Sequence, residues 1–242
     1  MLLGLLSDPH ANLPAVQAVL ADVARVRPDA VVCLGDFVDY GAQPNEVVAA
    51  LREVCTVNLA GNHDLAVLGD LDASLFNPMA AASLAWTAET LRPDAAAFLR
   101  SLSASGSVEG LDLAHASPRD PVEEYVTDRF VAQVNFAQCA FTKVAVGHTQ
   151  VPAVFVSEGS RSRRIEPTPG ETIHLKGTRA ILNPGAVGQP RDGDPRASWA
   201  TWDTQHQQFV VRRVPYPVEA ARAAIDDAGL PPFLGARLLI GQ

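Results

Sequence analysis

The first twenty residues, MLLGLLSDPHANLPAVQAVL, contain the pattern that decides the fold of this chain. Leu2–Leu6 is a short apolar run typical of a buried β-strand, and Ser7-Asp8-Pro9-His10 follows it at once. Asn12 can then cap a helix that tolerates Pro14 in its first turn, and apolar residues continue at helical spacing to about Arg25. A strand, a polar loop and a helix in this order predict an α/β fold.

An apolar run that ends in polar residues occurs four more times along the chain. These are Ala30–Leu34 before Asp36 and Asp39, Val54–Leu59 before Asn62 and His63, Leu111–Ala114 before His115, and Val144–Val146 before His148. Open α/β sheets bind ligands outside the carboxyl ends of their strands. We therefore expect all five polar clusters, including Asp8 and His10, to converge on one edge of the core.

The segments between these runs predict helices and one hairpin. Pro44–Glu53 carries apolar residues at helical spacing, and the alanine-rich segment Asn77–Ser103 predicts two short helices that break at Pro93. The remaining predicted elements are a hairpin of Ser198–Asp203 with Gln208–Val214, and a final helix, Pro217–Ala228, stopped by Gly229.

The size of the chain predicts one domain. Its 242 residues, 48% of them hydrophobic, can bury a single large core, and no long polar or Gly/Ser-rich stretch divides them. No run approaches the roughly 20 apolar residues that span a bilayer, so we expect no membrane partner. The opening MLLGLL is better interpreted as a strand than as a signal peptide, because it lacks a basic region before it.

The net charge and the cysteines of the chain bear on its partners and on the compartment in which it works. The net charge of −8 disfavours non-specific binding to nucleic acid, although bound cations can still create a local site for a phosphorylated molecule. The three cysteines, Cys33, Cys55 and Cys139, form no metal-binding or disulfide pattern, and the first two lie in apolar runs. An odd number without a framework predicts a reducing compartment, hence the cytoplasm.

The residue types in the polar clusters predict a metal site. Imidazole mixed with carboxylate suits borderline divalent ions such as Mn, Fe, Zn, Co or Ni, and thiolates are absent from the clusters. A carboxylate such as Asp36 can bridge two ions about 3.5–4 Å apart, which activates a shared water and clamps a phosphoryl group. A hydrolase of this kind needs no Ser or Cys nucleophile.

Five motifs, taken in order, carry a family resemblance: DPH, GDFVDYG, AGNHD, AH and GHTQ. This order resembles the calcineurin-like metallophosphoesterase superfamily, whose signature is DxH, GDxxD, GNH[DE], H and GHxH. Gly35–Val48, Asn77–Thr87 and Asn183–Ala197 resemble its bacterial phosphodiesterase branch in particular. The resemblance implies two packed mixed β-sheets flanked by helices, an αββα sandwich. It also implies a single domain over residues 1–242, with a helical cap insert at about 65–105.

The resemblance also implies a role for each motif residue. Asp8 and His10 would bind a first metal, Asp36 would bridge, and Asn62, His115 and His148 would bind a second metal. His63 would act as general acid while a metal-bridging hydroxide attacks phosphorus, and Asp39 would hold His63 in the right tautomer. We expect Mn, Fe or Zn in the two sites, with Mg or Ni as further candidates. Asn12 and Arg191 are candidate substrate contacts.

Two positions depart from the family pattern. Gln150 replaces the last histidine of GHxH, which in the pattern serves the first metal, and Ala11 replaces a glycine. An amide oxygen is a poorer ligand for borderline ions, so the first site is expected to bind loosely or to prefer a harder ion such as Mn or Mg.

The departure at Gln150 keeps a second class of function open, a metallophosphoesterase-fold binding scaffold with weakened catalysis. The preferred hypothesis is a metal-dependent phosphodiesterase acting on a small phosphorylated substrate, with nucleotide-derived molecules among the candidates. A phosphomonoesterase is a further alternative. A protein phosphatase is disfavoured, because Tyr40 stands where that branch carries an arginine.

Overall fold

The computed structural model describes residues 1–72, 74 and 76–242. Its strands are β1 Leu2–Leu6, β2 Ala30–Cys33, β3 Val57–Asn58, β4 Ser105–Val108, β5 Leu111–Ala114, β6 Lys143–Ala145, β7 Ala153–Ser157, β8 Ser162–Ile165, β9 Ile173–His174, β10 Ala180–Asn183, β11 Ala197–Asp203 and β12 Gln208–Val214. Its helices are α1 Leu13–Val26, α2 Pro44–Val54, α3 Asn62–Val67, α4 Pro78–Thr90, α5 Pro93–Arg100, α6 Arg129–Gln138, α7 Val218–Asp227 and α8 Pro232–Leu238.

The strands form two mixed sheets of six, which confirms the predicted fold class. One sheet has the order β3-β2-β1-β11-β12-β9 and the other β4-β5-β6-β10-β7-β8. An apolar cluster that includes Leu3 and Val32 of the first sheet and Leu113 and Leu182 of the second fills the space between them. Two further clusters bury the outer faces, one beneath α1, α2, α7 and α8 and the other beneath α6. The layers are therefore helix, sheet, sheet and helix.

Neighbouring parallel strands in each sheet bring the polar loops to one edge. β1, β2 and β3 run parallel, and so do β5, β6 and β10. Hydrogen bonds then join the loops themselves, from the amide of Asp8 to the carbonyl of Gly35 (3.0 Å) and from Gly147 to His115 (2.7 Å). The loops that follow these strands can therefore form one site, as the strand-end rule predicts.

Several predicted elements are confirmed with small changes at their ends. Leu2–Leu6 and Leu111–Ala114 form strands as predicted, and the segment that breaks at Pro93 forms α4 and α5. The role of the predicted insert at about 65–105 as a cap stays a prediction, and its residues 73 and 75 lie outside the described residues. None of the helices in the described chain has the length and apolar character needed to cross a membrane.

Two predicted boundaries were wrong. Val54–Leu59 was expected to be a strand, but α2 continues through Val54 and only Val57–Asn58 pairs with β2. The reason is that Val47, Leu51 and Cys55 are spaced by four and all point into the core beneath α2, so the apolar run begins with a helical face. Pro217–Ala228 was expected to be the final helix, but α8 follows it.

Candidate metal centre

Strained backbone marks the loops at the shared edge of the two sheets. In the described part of the chain, eleven non-glycine residues have a positive φ angle, and eight of them lie in these loops. The eight are Asp8, His10, Ala11, Asp36, Asp39, Tyr40, His148 and Gln150. Left-handed conformations cost energy for residues with a side chain, and they cluster where function requires an unusual geometry. Five of the eight are predicted metal ligands, so the backbone singles out the same loops as the motifs do.

Two glycines allow the loops to approach each other closely. A Cβ atom on Gly61 would collide with the backbone nitrogen and the carboxylate of Asp36, and one on Gly147 would collide with the side chains of Ser7 and Asp8. Because each glycine lacks a Cβ atom, a buried carboxylate of a neighbouring loop can occupy the space beside it.

Asp8, His10 and Asp36 form a first group of possible ligand atoms. The Nε2 atom of His10 lies 3.9 Å from Oδ1 of Asp8 and 3.6 Å from Oδ2 of Asp36, and all three side chains are buried. The Nδ1 atom of His10 lies 3.1 Å from the carbonyl oxygen of Val38, to which it must donate. That hydrogen bond leaves the lone pair of Nε2 directed at the two carboxylates, as metal ligation requires.

The second group shares Asp36 with the first. The Nε2 atom of His115 lies 3.4 Å from Oδ2 of Asp36 and 3.2 Å from Oδ1 of Asn62, while its Nδ1 donates to the carbonyl of Leu34 at 2.8 Å. A lone pair on Nε2 facing two oxygen atoms is repulsive unless a proton or a metal ion lies between them. The geometry therefore requires a cation at this point.

His148 completes the second group. Its ligand atom lies within 4.8 Å of those of Asp36 and His115. Its Nε2 donates to the carbonyl oxygen of Glu123 at 3.1 Å, which leaves Nδ1 with a free lone pair. Burial and, to a smaller extent, the nearby His115 lower the pKa of His148 to about 3. His148 is thus the neutral imidazole that a metal ion needs as a ligand.

Three buried oxygen atoms at this edge have no hydrogen-bond partner among the described residues. They are Oδ1 of Asp8, Oδ2 of Asp36 and Oε1 of Gln150. A buried acceptor without a partner is costly, and for a carboxylate the cost is larger still. Metal ions would satisfy all three atoms, so the residues present fit the metal centre that their chemistry implies. Oδ2 of Asp36 lies near the imidazoles of both groups and could therefore serve either one.

The pKa values of Asp8, Asp36 and His115 reflect an excess of negative charge at the site. Burial, together with the charge of Asp36, raises the pKa of Asp8 to about 6 against the opposing effect of His115. Burial would also raise the pKa of Asp36, but the imidazoles of His115 and His63 outweigh it and hold that pKa well below the usual value. His115 is the counterpart: burial opposes its charge, yet Asp36 and Asp8 raise its pKa to about 9. A proton on His115 thus supplies the positive charge that a metal ion would replace.

His63 and Asp39 form a hydrogen-bonded pair beside the first group. The distance between Nδ1 of His63 and Oδ2 of Asp39 is 2.6 Å, and both side chains are buried. Burial alone would lower the pKa of His63, but the charges of Asp36 and Asp39 raise it above the usual value. The backbone amide of His63 also donates to Oδ1 of Asp36 at 2.9 Å, which ties the pair to the possible bridging ligand.

Asp64, the last residue of the AGNHD motif, holds two of the loops together. Its carboxylate accepts hydrogen bonds from the backbone amides of Gly61 (2.9 Å) and Val38 (3.2 Å). Burial and the charge of Asp36 raise the pKa of Asp64 to about 7. The contacts of Asp64 are therefore with the backbone that carries the candidate ligands.

Gln150 lies at the predicted first site in spite of its change of residue type. Its side chain is buried, and its Nε2 atom is 2.9 Å from Nε2 of His10. Since His10 must accept at Nε2, the amide of Gln150 donates there and directs Oε1 elsewhere. A half-turn of the amide would bring Oε1 to the position where an ion bound to His10 would need a ligand.

The two candidate substrate contacts differ in their surroundings. The guanidinium of Arg191 lies 5.8 Å above the ring of Tyr40 and donates to the side-chain oxygen of Gln189, and its backbone amide donates to the carbonyl of Gln150. Arg191 is therefore next to the metal groups. The side chain of Asn12 caps α1 and donates to the carbonyl of Gly188 and the hydroxyl of Tyr216. These contacts give Asn12 a structural task, and they provide no support for the predicted substrate contact.

Three aromatic rings that sequence reasoning did not assign to the site surround its imidazoles. Tyr40 lies 4.7 Å from His63 between ring centroids, Phe76 lies 5.0 Å from His63, and Tyr125 lies 3.8 Å from His148. Tyr40 could have been found as the residue after Asp39 in the second motif. Tyr125 belongs to no motif, and its only signal is its place after the strand that ends at His115.

The chain is similar in sequence and structure to known proteins of one superfamily. Residues 1–207 match the calcineurin-like phosphoesterase superfamily domain. An uncharacterised protein of Methanocaldococcus jannaschii is 34% identical over 247 aligned positions, which cover 100% of this chain and 98% of that protein. The crystal structure of a metallophosphoesterase from Sphaerobacter thermophilus is 38% identical with a TM-score of 0.91, covering 100% of this chain and 99% of the other. A hypothetical protein from Pyrococcus horikoshii shares the fold at 18% identity and a TM-score of 0.82, with 100% and 98% coverage.

Proposed function

The chain belongs to the calcineurin-like phosphoesterase superfamily, and we propose that it hydrolyses small phosphodiesters with the help of two metal ions. The observation that carries this proposal is the unpartnered Oδ2 atom of Asp36, which lies in both groups of possible ligand atoms. A carboxylate shared in this way has little use in a binding scaffold. It is the arrangement that a two-metal hydrolase requires.

The residues divide into two ligand sets under this proposal. Asp8, His10 and Gln150 hold one ion, Asn62, His115 and His148 hold the other, and Asp36 contributes to both. Mn, Fe or Zn suit these donors, and Mg or Ni can replace them. Bound ions of this kind supply a water activated near neutral pH and neutralise charge on the phosphoryl group.

His63 serves as the general acid in this proposal. A leaving alkoxide needs a proton, and the raised pKa of His63 favours the protonated imidazole that can supply it. Asp39 keeps Nδ1 of His63 engaged at 2.6 Å, so Nε2 is the atom that faces the leaving group. The bond between phosphorus and the leaving oxygen breaks as an oxygen from water bonds to phosphorus and the leaving oxygen takes the proton of His63.

The charge around the site favours a diester over a monoester. Arg191 is the cation whose charge affects the pKa of Asp8, His10 and His63. A diester carries one negative charge and a monoester close to two, so a site that adds the charge of Arg191 to two ions suits the diester better. Tyr40, under the guanidinium of Arg191, stands where the protein phosphatase branch carries an arginine.

The alternative function is a binding scaffold that has lost catalysis, and Gln150 is the residue that favours it. Against it stands the buried pair of His63 and Asp39, because a scaffold has no use for an oriented proton donor. An assay separates the two functions. The protein is stripped of metal, reloaded with Mn²⁺, and tested in parallel on bis-p-nitrophenyl phosphate and p-nitrophenyl phosphate.

His63→Ala is the decisive variant in this assay. The p-nitrophenolate ion leaves without a proton, so an alkoxide leaving group, as in a dinucleotide, reveals the general acid more clearly. We expect the variant to lose about 10²- to 10⁴-fold in rate on the dinucleotide and less on the chromogenic diester, at unchanged metal content. Asp39→Asn should lose about 10- to 100-fold. His206→Ala, at an exposed hairpin histidine, is the matched control and should retain full activity.

Two results would contradict the proposal. One is a metal-loaded protein that turns over none of the three substrates and retains less than one ion per chain, which would favour the scaffold. The other is equal turnover by wild type and His63→Ala on the dinucleotide, which would remove His63 from the proton transfer.

A further inference from the structure

Tyr125 lies at the second metal group and has no part in the function proposed above. Its ring packs on the imidazole of His148, with 3.8 Å between the centroids and an angle of 32° between the planes. Although one face is covered in this way, 46% of the surface of Tyr125 remains exposed. An aromatic ring that lies beside a candidate metal ligand and remains partly exposed to solvent can stack with a second planar group.

The residues on both sides of Tyr125 are fixed. The carboxylate of Glu124 accepts hydrogen bonds from the hydroxyl of Ser117 and the amide of Asn135, each at 2.7 Å, and pairs with Arg119. Val126 on the other side is buried in the apolar cluster beneath α6. The ring is thus held before any ligand arrives, which reduces the entropy lost when a partner stacks on it.

The same loop also positions His148. The carbonyl oxygen of Glu123, two residues before Tyr125, accepts the hydrogen bond from Nε2 of His148. Tyr125 and the carbonyl of Glu123 therefore hold this imidazole from two sides. Any test of Tyr125 as a ligand contact must distinguish that role from support of His148.

Tyr125 lies on a different side of the centre from the general acid. His63 contacts Tyr40 and Phe76, and its nearest imidazole is that of His10 in the first group. Tyr125 packs on His148, which belongs to the second group. The leaving oxygen departs next to His63, so Tyr125 is next to the substituent that stays on phosphorus.

Arg191 connects the two sides. Its guanidinium lies over Tyr40, the ring that contacts His63, and its backbone amide donates to the carbonyl of Gln150, two residues after His148. A phosphate held by Arg191 would therefore place its retained substituent within reach of the exposed face of Tyr125.

We propose that Tyr125 is a stacking surface for a planar ring on the retained substituent, so that nucleoside phosphodiesters are preferred over alkyl ones. This inference rests on the proposed phosphodiesterase function and specifies its substrate class. Stacking of a base on an aromatic side chain tolerates every base, because each has a π-face, so a preference for nucleosides without strong base selection follows. We expect the preference to be about tenfold or more.

The test compares two diesters with the same leaving group, thymidine 5′-p-nitrophenyl phosphate and methyl p-nitrophenyl phosphate. The measured quantity is the ratio of their kcat/KM values, which cancels any general loss of activity. The wild type should favour the nucleoside by about tenfold or more. Tyr125→Leu should bring the ratio close to one, chiefly through KM for the nucleoside, and Tyr125→Phe should keep it. Phe130→Leu is the control, because Phe130 is 68% exposed and lies outside the metal centre.

A second measurement does not depend on turnover. Calorimetry gives the Kd of thymidine 5′-phosphate and of methyl phosphate for the Mn²⁺-loaded protein and its variants. Tighter binding of the nucleotide that is lost in Tyr125→Leu would support the stacking surface even if the protein hydrolysed nothing. Equal Kd values, no binding of either probe, or a Tyr125→Leu variant with an unchanged ratio and less bound metal would overturn it.

Discussion

The two halves of the candidate metal centre share a backbone geometry but differ in their possible donors. His148 in the second half and Gln150 in the first have almost the same left-handed φ angle, 63° and 61°. The second half offers two imidazoles, each held at its other nitrogen by a backbone carbonyl. The first half has one such imidazole, that of His10, and an amide.

This difference shows that the backbone conformation at a ligand position can be kept while the type of donor atom on its side chain changes. Gln150 is buried, strained and next to His10, as a ligand must be, yet its amide oxygen is a weaker donor than an imidazole. We infer two classes of metal affinity, with the tighter ion in the second half. Asp36 is the residue that joins the two halves.

Replacing Asp36 should have the largest effect, because it removes both halves at once. Asp36→Asn preserves the size of the side chain but removes its charge, so the fold should remain and both ions should be lost. Losing the ions forfeits several kcal/mol of charge stabilisation, so we expect activity to fall more than about a thousandfold. Metal analysis and circular dichroism test this, and one tightly retained ion per chain would show that the halves do not share Asp36.

Removing one imidazole at a time, from one half or from the other, should distinguish the metal affinities of the two halves. His148→Ala should release the tighter ion, and His10→Ala should release the weaker one, each with an affinity loss of about a hundredfold or more. Metal titration of the two variants side by side measures the affinity that remains. Two indistinguishable isotherms would contradict the proposed asymmetry.

Gln150→His should remove the asymmetry. An imidazole at this position would supply the donor that the family pattern contains, and we expect the first ion to bind about 10- to 100-fold more tightly. Gln150→Ala is the matched control and should weaken that ion. If both variants bind the first ion as the wild type does, Gln150 is not a ligand.

The smallest expected effect is on thermal stability. An ion present at a hundred times its Kd adds about 2.7 kcal/mol to the free energy of unfolding, which for a chain of this size raises Tm by about 5–10 °C. Titrating Mn²⁺ into the metal-free protein should therefore raise Tm in two steps at different concentrations. A single step in the wild type would indicate one class of site.

The sequence predicted the layers and the location of the site better than the limits of the elements. Leu111–Ala114 reads as a strand because its apolar run is short and ends at His115, and the structure agrees. The run Val54–Leu59 was wrongly predicted as one strand, because it contains both the end of a helix and a short strand. Both elements are apolar there, so the local hydrophobic pattern does not show where one ends and the other begins.

The rest of the site depended on contacts between segments far apart in the chain. The carbonyl of Glu123 and the ring of Tyr125 reach His148 only because the loop between β5 and α6 is fastened by Glu124 and Val126. The structural task of Asn12 likewise depends on Gly188 and Tyr216, more than 170 positions away. No periodicity or motif in a single sequence records such contacts.

The collisions that a side chain would cause at Gly61 and Gly147 have a genetic consequence. In a library of random point mutations selected for activity, any amino-acid substitution at these two positions inserts a Cβ atom into the space of Asp36 or of Ser7 and Asp8. Both codons should therefore tolerate as little variation as those of the donors, although neither residue contributes an atom to catalysis. An alanine scan restricted to charged and polar residues would miss them.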